Sequence, residues 1–223
     1  MDHVISGVAK FQKDVFPKNK EVFQKLATSQ NPEVLFITCA DSRIDPNMVT
    51  QTGPGDLFIC RNAGNVVPPH SNQTGGMTAS IEFAVAALGV EHIIICGHTD
   101  CGAMKGALAP EALEGLPHVK EWLGHCRGAT EVVKHRHGCV GSEHLDEVTK
   151  ENVLLQIQHL KTHPSVAGRL ACKEVQIHGW VYNIETGEVL CYEPSSESFK
   201  PMAERYSNDS AFKSTIGLKQ QAG

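Results

Sequence analysis

The chain is short of the features that would take a protein into a membrane or onto a nucleic acid. Its longest uninterrupted apolar run covers residues 83–90, closed by Glu82 and Glu91, far below the roughly 20 residues of a spanning helix. No membrane segment is expected. There is no basic excess either: 20 Lys plus Arg stand against 25 Asp plus Glu, a formal net charge of -5. Phosphate backbones find no electrostatic footprint here, so nucleic acid is excluded as an expected partner. The opening residues MDHVISGVAKFQKDVF carry Asp2 and Asp14 among apolar positions at helical spacing and lack the basic and apolar regions of a secretory leader. The eight cysteines therefore read as reduced thiols, some of them metal ligands, rather than four disulfides, and the expected location is the cytoplasm. Repeats, low-complexity tracts and Gly/Ser linkers are also absent. With 41% hydrophobic and 20% charged residues over 223 positions, one folded domain is expected.

What is present has the rhythm of an α/β protein. VLFIT (34–38), DLFIC (56–60) and HIIIC (92–96) are short apolar runs bounded by turn residues, the pattern of strands buried on both faces of a parallel sheet. Between the second and third, residues 77–88 read as a helix apolar nearly all round, with Gly75-Gly76 before it and Gly89 after it. Strand, buried helix, strand is a βαβ unit. Asp45 before Pro46 reads as an N-cap followed by a first-turn proline. Further on, Val119, Trp122, Leu123, Cys126, Val132 and Val133 predict one surface helix, and residues 145–162 a second. Glu174 to Asn183 and Glu188 to Tyr192 predict a hairpin on the sheet. The expected architecture is a central, mostly parallel β-sheet flanked by helices, covering residues 31–193. Residues 1–30 form a helical arm split by Pro17 and suited to dimerisation, and residues 194–223 form a C-terminal tail.

Two clusters lie where parallel strands end. The first strand runs into Cys39-Ala40-Asp41-Ser42-Arg43 and the third into His98-Thr99-Asp100-Cys101-Gly102. Open α/β sheets gather ligands at such strand ends. Cys39, His98 and Cys101 make a Cys2His set that suits Zn2+, and three protein ligands leave a fourth position open, as a catalytic zinc requires. Cys101 begins a predicted helix over 101–108, where the macrodipole favours its thiolate. Asp41 faces the side of Cys39 and either binds the metal or accepts a hydrogen bond from the group on it. Arg43 holds Asp41 through its planar fork.

CADSRIDP (39–46), GDLFICRNAGNVVPP (55–69), ASIEFAVAALGVEHIIICGHTDCGAMKG (79–106) and HGWVYNIETGEV (178–189) closely resemble the β-class carbonic anhydrases. The resemblance implies reversible hydration of CO2 to bicarbonate and a proton by attack of zinc-bound hydroxide, with one Zn2+ per chain on Cys39, His98 and Cys101 and with Asp41 and Arg43 as a dyad. It also implies a homodimer as the minimum unit, open to pairing into a tetramer or larger, with the N-terminal helices wrapped round the partner. Gln30 and Phe58 match the substrate-pocket glutamine and phenylalanine of the plant-like subgroup, which are supplied across the dimer interface. Gly102 matches the glycine whose amide faces substrate. Phe36 stands where the subgroup with a non-catalytic bicarbonate site has tryptophan, and Phe83, also counted in the substrate pocket, replaces a tyrosine common to both subgroups.

Two rival readings fall on missing motifs. A zinc nucleoside deaminase needs His-x-Glu and Pro-Cys-x-x-Cys, and neither occurs. A dinucleotide-binding fold needs Gly-x-Gly-x-x-Gly after its first strand, where this chain has CADSRI. The Asp41-Arg43 pair speaks against a purely structural or regulatory zinc protein, while a sister hydrolase of CS2 or COS, which would keep every ligand and differ only in pocket access, stays open. His135, His137 and Cys139 follow a helix end, where cations suit the dipole without metal. His70 reads as a surface loop residue, with a proton carrier at the pocket mouth as the alternative, and Arg61 as an anchor of backbone and interface.

Overall fold

The computed structural model describes residues 1–72 and 74–209, so residues 210–223 of the expected tail lie outside the described residues. The first helix, α1 (Asp2–Lys10), runs on through a wider turn at Phe11–Val15. Pro17, which has no N–H to continue the ladder, opens a short turn before α2 (Lys20–Leu26). Phe11, Phe16 and Phe23 cluster across that break with ring centroids 5.2 to 6.1 Å apart. Neither helix buries a residue; Val4, Ile5, Val8, Val15 and Val22 stand in the open.

The apolar runs of the sequence become β1 (Val34–Cys39), β2 (Leu57–Asn62) and β3 (His92–His98). After β1 comes α3 (Pro46–Thr50), whose N-cap Asp45 accepts from the amides of Asn47 and Met48 as its position before Pro46 predicts. Between β2 and β3 lies α4 (Gly76–Glu82), extended by a π-helical turn at Phe83–Ala87. That segment corrects the expectation of an all-round buried helix. Ile81, Ala84 and Val85 are buried, but Phe83 is 47% exposed and Ala86 and Ala87 are exposed beside it, because the sheet covers only one side.

Next follow α5 (Gly102–Leu108), α6 (Pro117–Leu123), α7 (Arg127–His137), α8 (Leu145–Lys161) and α9 (Pro164–Ala171). The single helix expected after residue 117 is therefore two, parted by a tight turn at Gly124–Cys126. Gly124 weakens the helix there. The turn leaves Leu123, Cys126 and Val133 in one buried cluster with Met104 of α5. The chain closes with β4 (Gln176–Tyr182), β5 (Val189–Glu193), β6 (Ser198–Pro201) and α10 (Met202–Arg205).

These strands form one sheet in the order β2-β1-β3-β4-β5-β6. The first four are parallel; β5 and β6 add antiparallel to that edge. β4 and β5 are the expected hairpin, while β6 was not anticipated: SFKP carries one strand-forming residue, beside a proline tolerated at a sheet edge. One face of the sheet packs Leu35, Ile37, Ile93 and Ile95, all fully buried, beneath Ile81, Val85, Val153 and Leu160. Each such side chain contributes roughly 1.5–3 kcal/mol by leaving water. Helix α8 lies close on β3 and β4 because Gly97 and Gly179 have no Cβ; one built there would come within 3.0 Å of Val153. Among the described residues, no helix is long and apolar enough to cross a membrane.

On the other face, His92 and His178 meet with Nδ1 and Nε2 3.2 Å apart. Burial, helped by the charges of His92 and Arg205, pulls His178 down to about 4 from an ordinary 6.5. Below pH 6.5 the unfolded chain takes up a proton there that the folded chain refuses, so stability falls with pH from about 6.5 to about 4 and then levels. Over that window the loss approaches about 3 kcal/mol. Urea unfolding at pH 7 and pH 4.5 checks this: the His178→Gln protein should lose clearly less stability between the two than the unsubstituted chain. Equal losses would show that His178 is not the responsible group.

Candidate metal centre

The strand register explains why residues far apart in sequence meet. β1 lies between β2 and β3, with Cys39 paired to Asn62 at the last rung of one side and Thr38 paired to Cys96 on the other. The chain therefore leaves β1 at Cys39 beside the point where β3 delivers His98. Cys101 follows as the N-cap of α5. Among the described residues, Cys39, His98 and Cys101 are the only such group whose donor atoms converge, all within 4.8 Å of one another. All three are buried, with His98 fully enclosed.

The donor atoms are prepared for a cation. The Nδ1–H of His98 donates to the carbonyl of Thr99 at 2.9 Å, which leaves Nε2 as a bare lone pair. Nε2 is buried and, among the described residues, has no hydrogen-bond partner, a costly arrangement unless something else satisfies it. The Cys39 and Cys101 sulfurs lie 3.9 Å apart. Two thiolates at about 2.3 Å from one tetrahedral zinc stand about 3.8 Å apart, so the observed pair fits that ion. The two thiols share their proton as a unit. The hydrogen bond from Cys101 holds Cys39 well below an ordinary thiol, with His98 and the Gly64 amide assisting. That bond and burial push Cys101 up in turn. Burial pulls His98 downward, but the Cys39 thiolate outweighs it and the net direction is up. The buried Cys39 thiolate, beside a second sulfur and the bare His98 Nε2, calls for a compensating cation.

Asp41, expected either on the metal or paired with Arg43, is hydrogen-bonded to Arg43 in this structure. Its Oδ1 accepts from Arg43 Nε at 3.0 Å and its Oδ2 from Arg43 Nη2 at 2.8 Å. Oδ2 lies 3.8 Å from His98 Nε2, near the donor cluster without joining it. The two-pronged hydrogen bond from Arg43 holds the Asp41 carboxyl well below the usual carboxylate range.

Gly102 sits exposed at the start of α5, and among the described residues nothing beyond its chain neighbours and its own helix lies within 4 Å of where a Cβ would stand. Gln30, Phe58 and Phe83 are elsewhere in this chain. Gln30 is exposed and lines a cleft with Leu26, Gly55 and Leu88. Phe58 pairs with Leu35, four rungs before Asn62, or roughly 13 Å along the strand from the metal group. Its ring meets that of Phe83 at 6.0 Å.

A loop that no sequence motif announced closes over Cys39. Gly64 donates its amide to the Cys39 sulfur at 3.4 Å. It has φ +82, and a Cβ there would come within 3.0 Å of Met104, so glycine is required on both counts. The loop is pinned from outside: Trp122 Nε1 donates to Ala63, Asn152 Nδ2 to Gly64, and the Val67 amide to Gln156 Oε1. Buried amides at Asn152 and Gln156 on the inner face of α8 were the signal, for they need partners. Arg61 is the backbone anchor expected, donating to the carbonyls of Cys39 and Asp41. His137 is taken by Glu147 at 2.7 Å, and His70 packs on His163, so neither joins the metal group.

Comparison with known proteins follows the same outline. The family described as carbonic anhydrase matches residues 34–189. A carbonic anhydrase of Synechococcus elongatus is 47% identical over 192 residues, covering 85% of this chain and 71% of that protein. The solved β-carbonic anhydrase CcaA is 41% identical with a TM-score of 0.86, covering 90% of this chain and 91% of that one. A structure reported among two tetrameric β-carbonic anhydrases from the ascomycete Sordaria macrospora is 30% identical with a TM-score of 0.76, covering 85% and 95%.

Proposed function

The chain belongs to the β-class carbonic anhydrases, and from that premise we propose that it catalyses the reversible hydration of CO2 with one Zn2+ held by Cys39, His98 and Cys101. One observation carries the reading: a buried, partnerless His98 Nε2 facing two sulfurs 3.9 Å apart. Zinc bound there would supply a Lewis acid that brings the pKa of a water toward neutrality, making it the nucleophile that attacks CO2.

The chain's own residues do the rest. Thr99 fixes the His98 tautomer through Nδ1, so that Nε2 is always the free donor atom. Arg43 keeps Asp41 ionised, and Asp41 Oδ2 is then purely an acceptor. It selects an O–H beside the cluster, takes its hydrogen bond and aims the remaining lone pairs of that oxygen away from the carboxylate. The open face at Gly102 receives substrate next to that oxygen. The products of each turnover, bicarbonate and one proton, pass to solvent.

Two copies of the chain complete the pocket in this reading. Phe58 and Gln30 do not reach their own metal group, while β2 is an edge strand and α1 and α2 present an unburied apolar face. A homodimer covers those surfaces and brings Gln30 and Phe58 to the partner's site, with pairing into tetramers as a further step. All eight cysteines are free, which suits a reducing cytoplasm. Loss of 18O from labelled bicarbonate, followed by mass spectrometry, tests the reaction in both directions at equilibrium. Exchange proportional to added protein supports it, and exchange at the buffer rate refutes it.

A further inference from the structure

Arg43 has two carboxylate partners, and only one belongs to the dyad. Its Nε and one face of Nη2 serve Asp41. Its Nη1 donates to Asp100 Oδ2 at 3.0 Å, and Nη2 also donates to the Asp100 carbonyl at 3.1 Å. Lys105, one turn into α5, forms an ion pair with the other Asp100 oxygen, Oδ1. The guanidinium is thus gripped at both edges, and the outer grip is itself braced by a lysine. Asp100 lies between His98 and Cys101 at φ 56, a left-handed conformation that Asp and Asn adopt more readily than other side chains.

Each of these pairs is about half exposed, and a single exposed pair is weak. Their arrangement matters more than their strength. Asp41 Oδ2 stands 3.8 Å from His98 Nε2, close enough for a side-chain rotation to carry it onto the donor cluster. The fork of Arg43 is what holds it back, and a fork tethered at one edge only would follow Asp41. Resting on the metal-centre reading above, we propose that Asp100, braced by Lys105, is a positioning residue that anchors Arg43 and so keeps Asp41 off the metal.

The test measures how fast zinc leaves the full-length protein for a chelator, alongside CO2 hydration. The Asp100→Asn substitution preserves size and suits the left-handed backbone, while Lys105→Met alters only an exposed helix position. If Asp100 holds Asp41 away, Asp100→Asn lets Asp41 become a fourth ligand. Zinc release then slows by about fivefold, the scale of one exposed ion pair, while hydration falls. Lys105→Met moves both readouts the same way by less. In an Asp41→Asn background, Asp100→Asn should leave zinc release unchanged, because its effect passes through Asp41. A merely structural role predicts the opposite sign, with zinc lost faster. Zinc release from Asp100→Asn as fast as or faster than from the unsubstituted chain, or slowing that persists without Asp41, overturns the anchor alone. Failure of the unsubstituted chain to bind zinc overturns the functional reading, and the anchor with it.

Discussion

Replacing Cys101 by Ser strips the protein of zinc and lowers CO2 hydration by at least about a thousandfold, while leaving the fold in place. Serine keeps the side chain nearly the same size in a buried site, so packing against Met104 and Leu123 is little disturbed. What is lost is the second sulfur. A serine hydroxyl does not ionise at neutral pH, so the donor set falls to one thiolate and one imidazole, too few for tight zinc. His98→Ala should have the same effect on zinc, but it also removes a fully enclosed side chain and leaves a cavity, so its thermal stability will fall too. Metal analysis, circular dichroism and stopped-flow hydration on the same preparations check these outcomes. Full zinc in Cys101→Ser would remove Cys101 from the ligand set.

Asp41→Asn is expected to do something different: retain zinc and slow hydration by about a hundredfold or more. The amide cannot ionise, and its NH2 points a donor where the carboxylate offered an acceptor. The hydrogen-bond direction at Oδ2 is then reversed for one flip of the amide. Arg43 simultaneously loses its two-pronged partner, which leaves Asp100 as its remaining carboxylate. Since Asp41 in the native chain titrates far below neutrality, the deficit should be uniform from pH 6.5 to 9 rather than recover at either end. Metal content beside kcat/KM across that range is the check. A fully active Asp41→Asn protein would show that the dyad orients nothing.

These residues were legible in the sequence because strand ends concentrate them. Apolar runs announced β1 and β3, and each ran directly into its polar cluster, so the convergence of Cys39, His98 and Cys101 needed only the parallel pairing that such runs imply. The capped start of α3 and the hairpin of β4 and β5 were readable for the same local reasons. The outward turn of Phe83 was not legible because composition cannot distinguish an apolar helix face turned to the sheet from one turned outward. Periodicity ran through the break at Gly124–Cys126, since Leu123, Cys126 and Val133 keep a buried face on both sides of it. The Gly64 loop and its anchors on α8 were unreadable because they depend on pairs such as Val67 and Gln156, 89 residues apart, that no local pattern records. Asp100 was visible as a residue, yet its hold on Arg43 exists only once two strand ends are side by side.

The most direct measurement is stopped-flow CO2 hydration by zinc-quantified protein from about pH 6.5 to 9. Zinc-hydroxide chemistry predicts close to one zinc per chain and activity that rises with pH as the nucleophilic water loses its proton. Full zinc with no hydration at any pH in that range would contradict it.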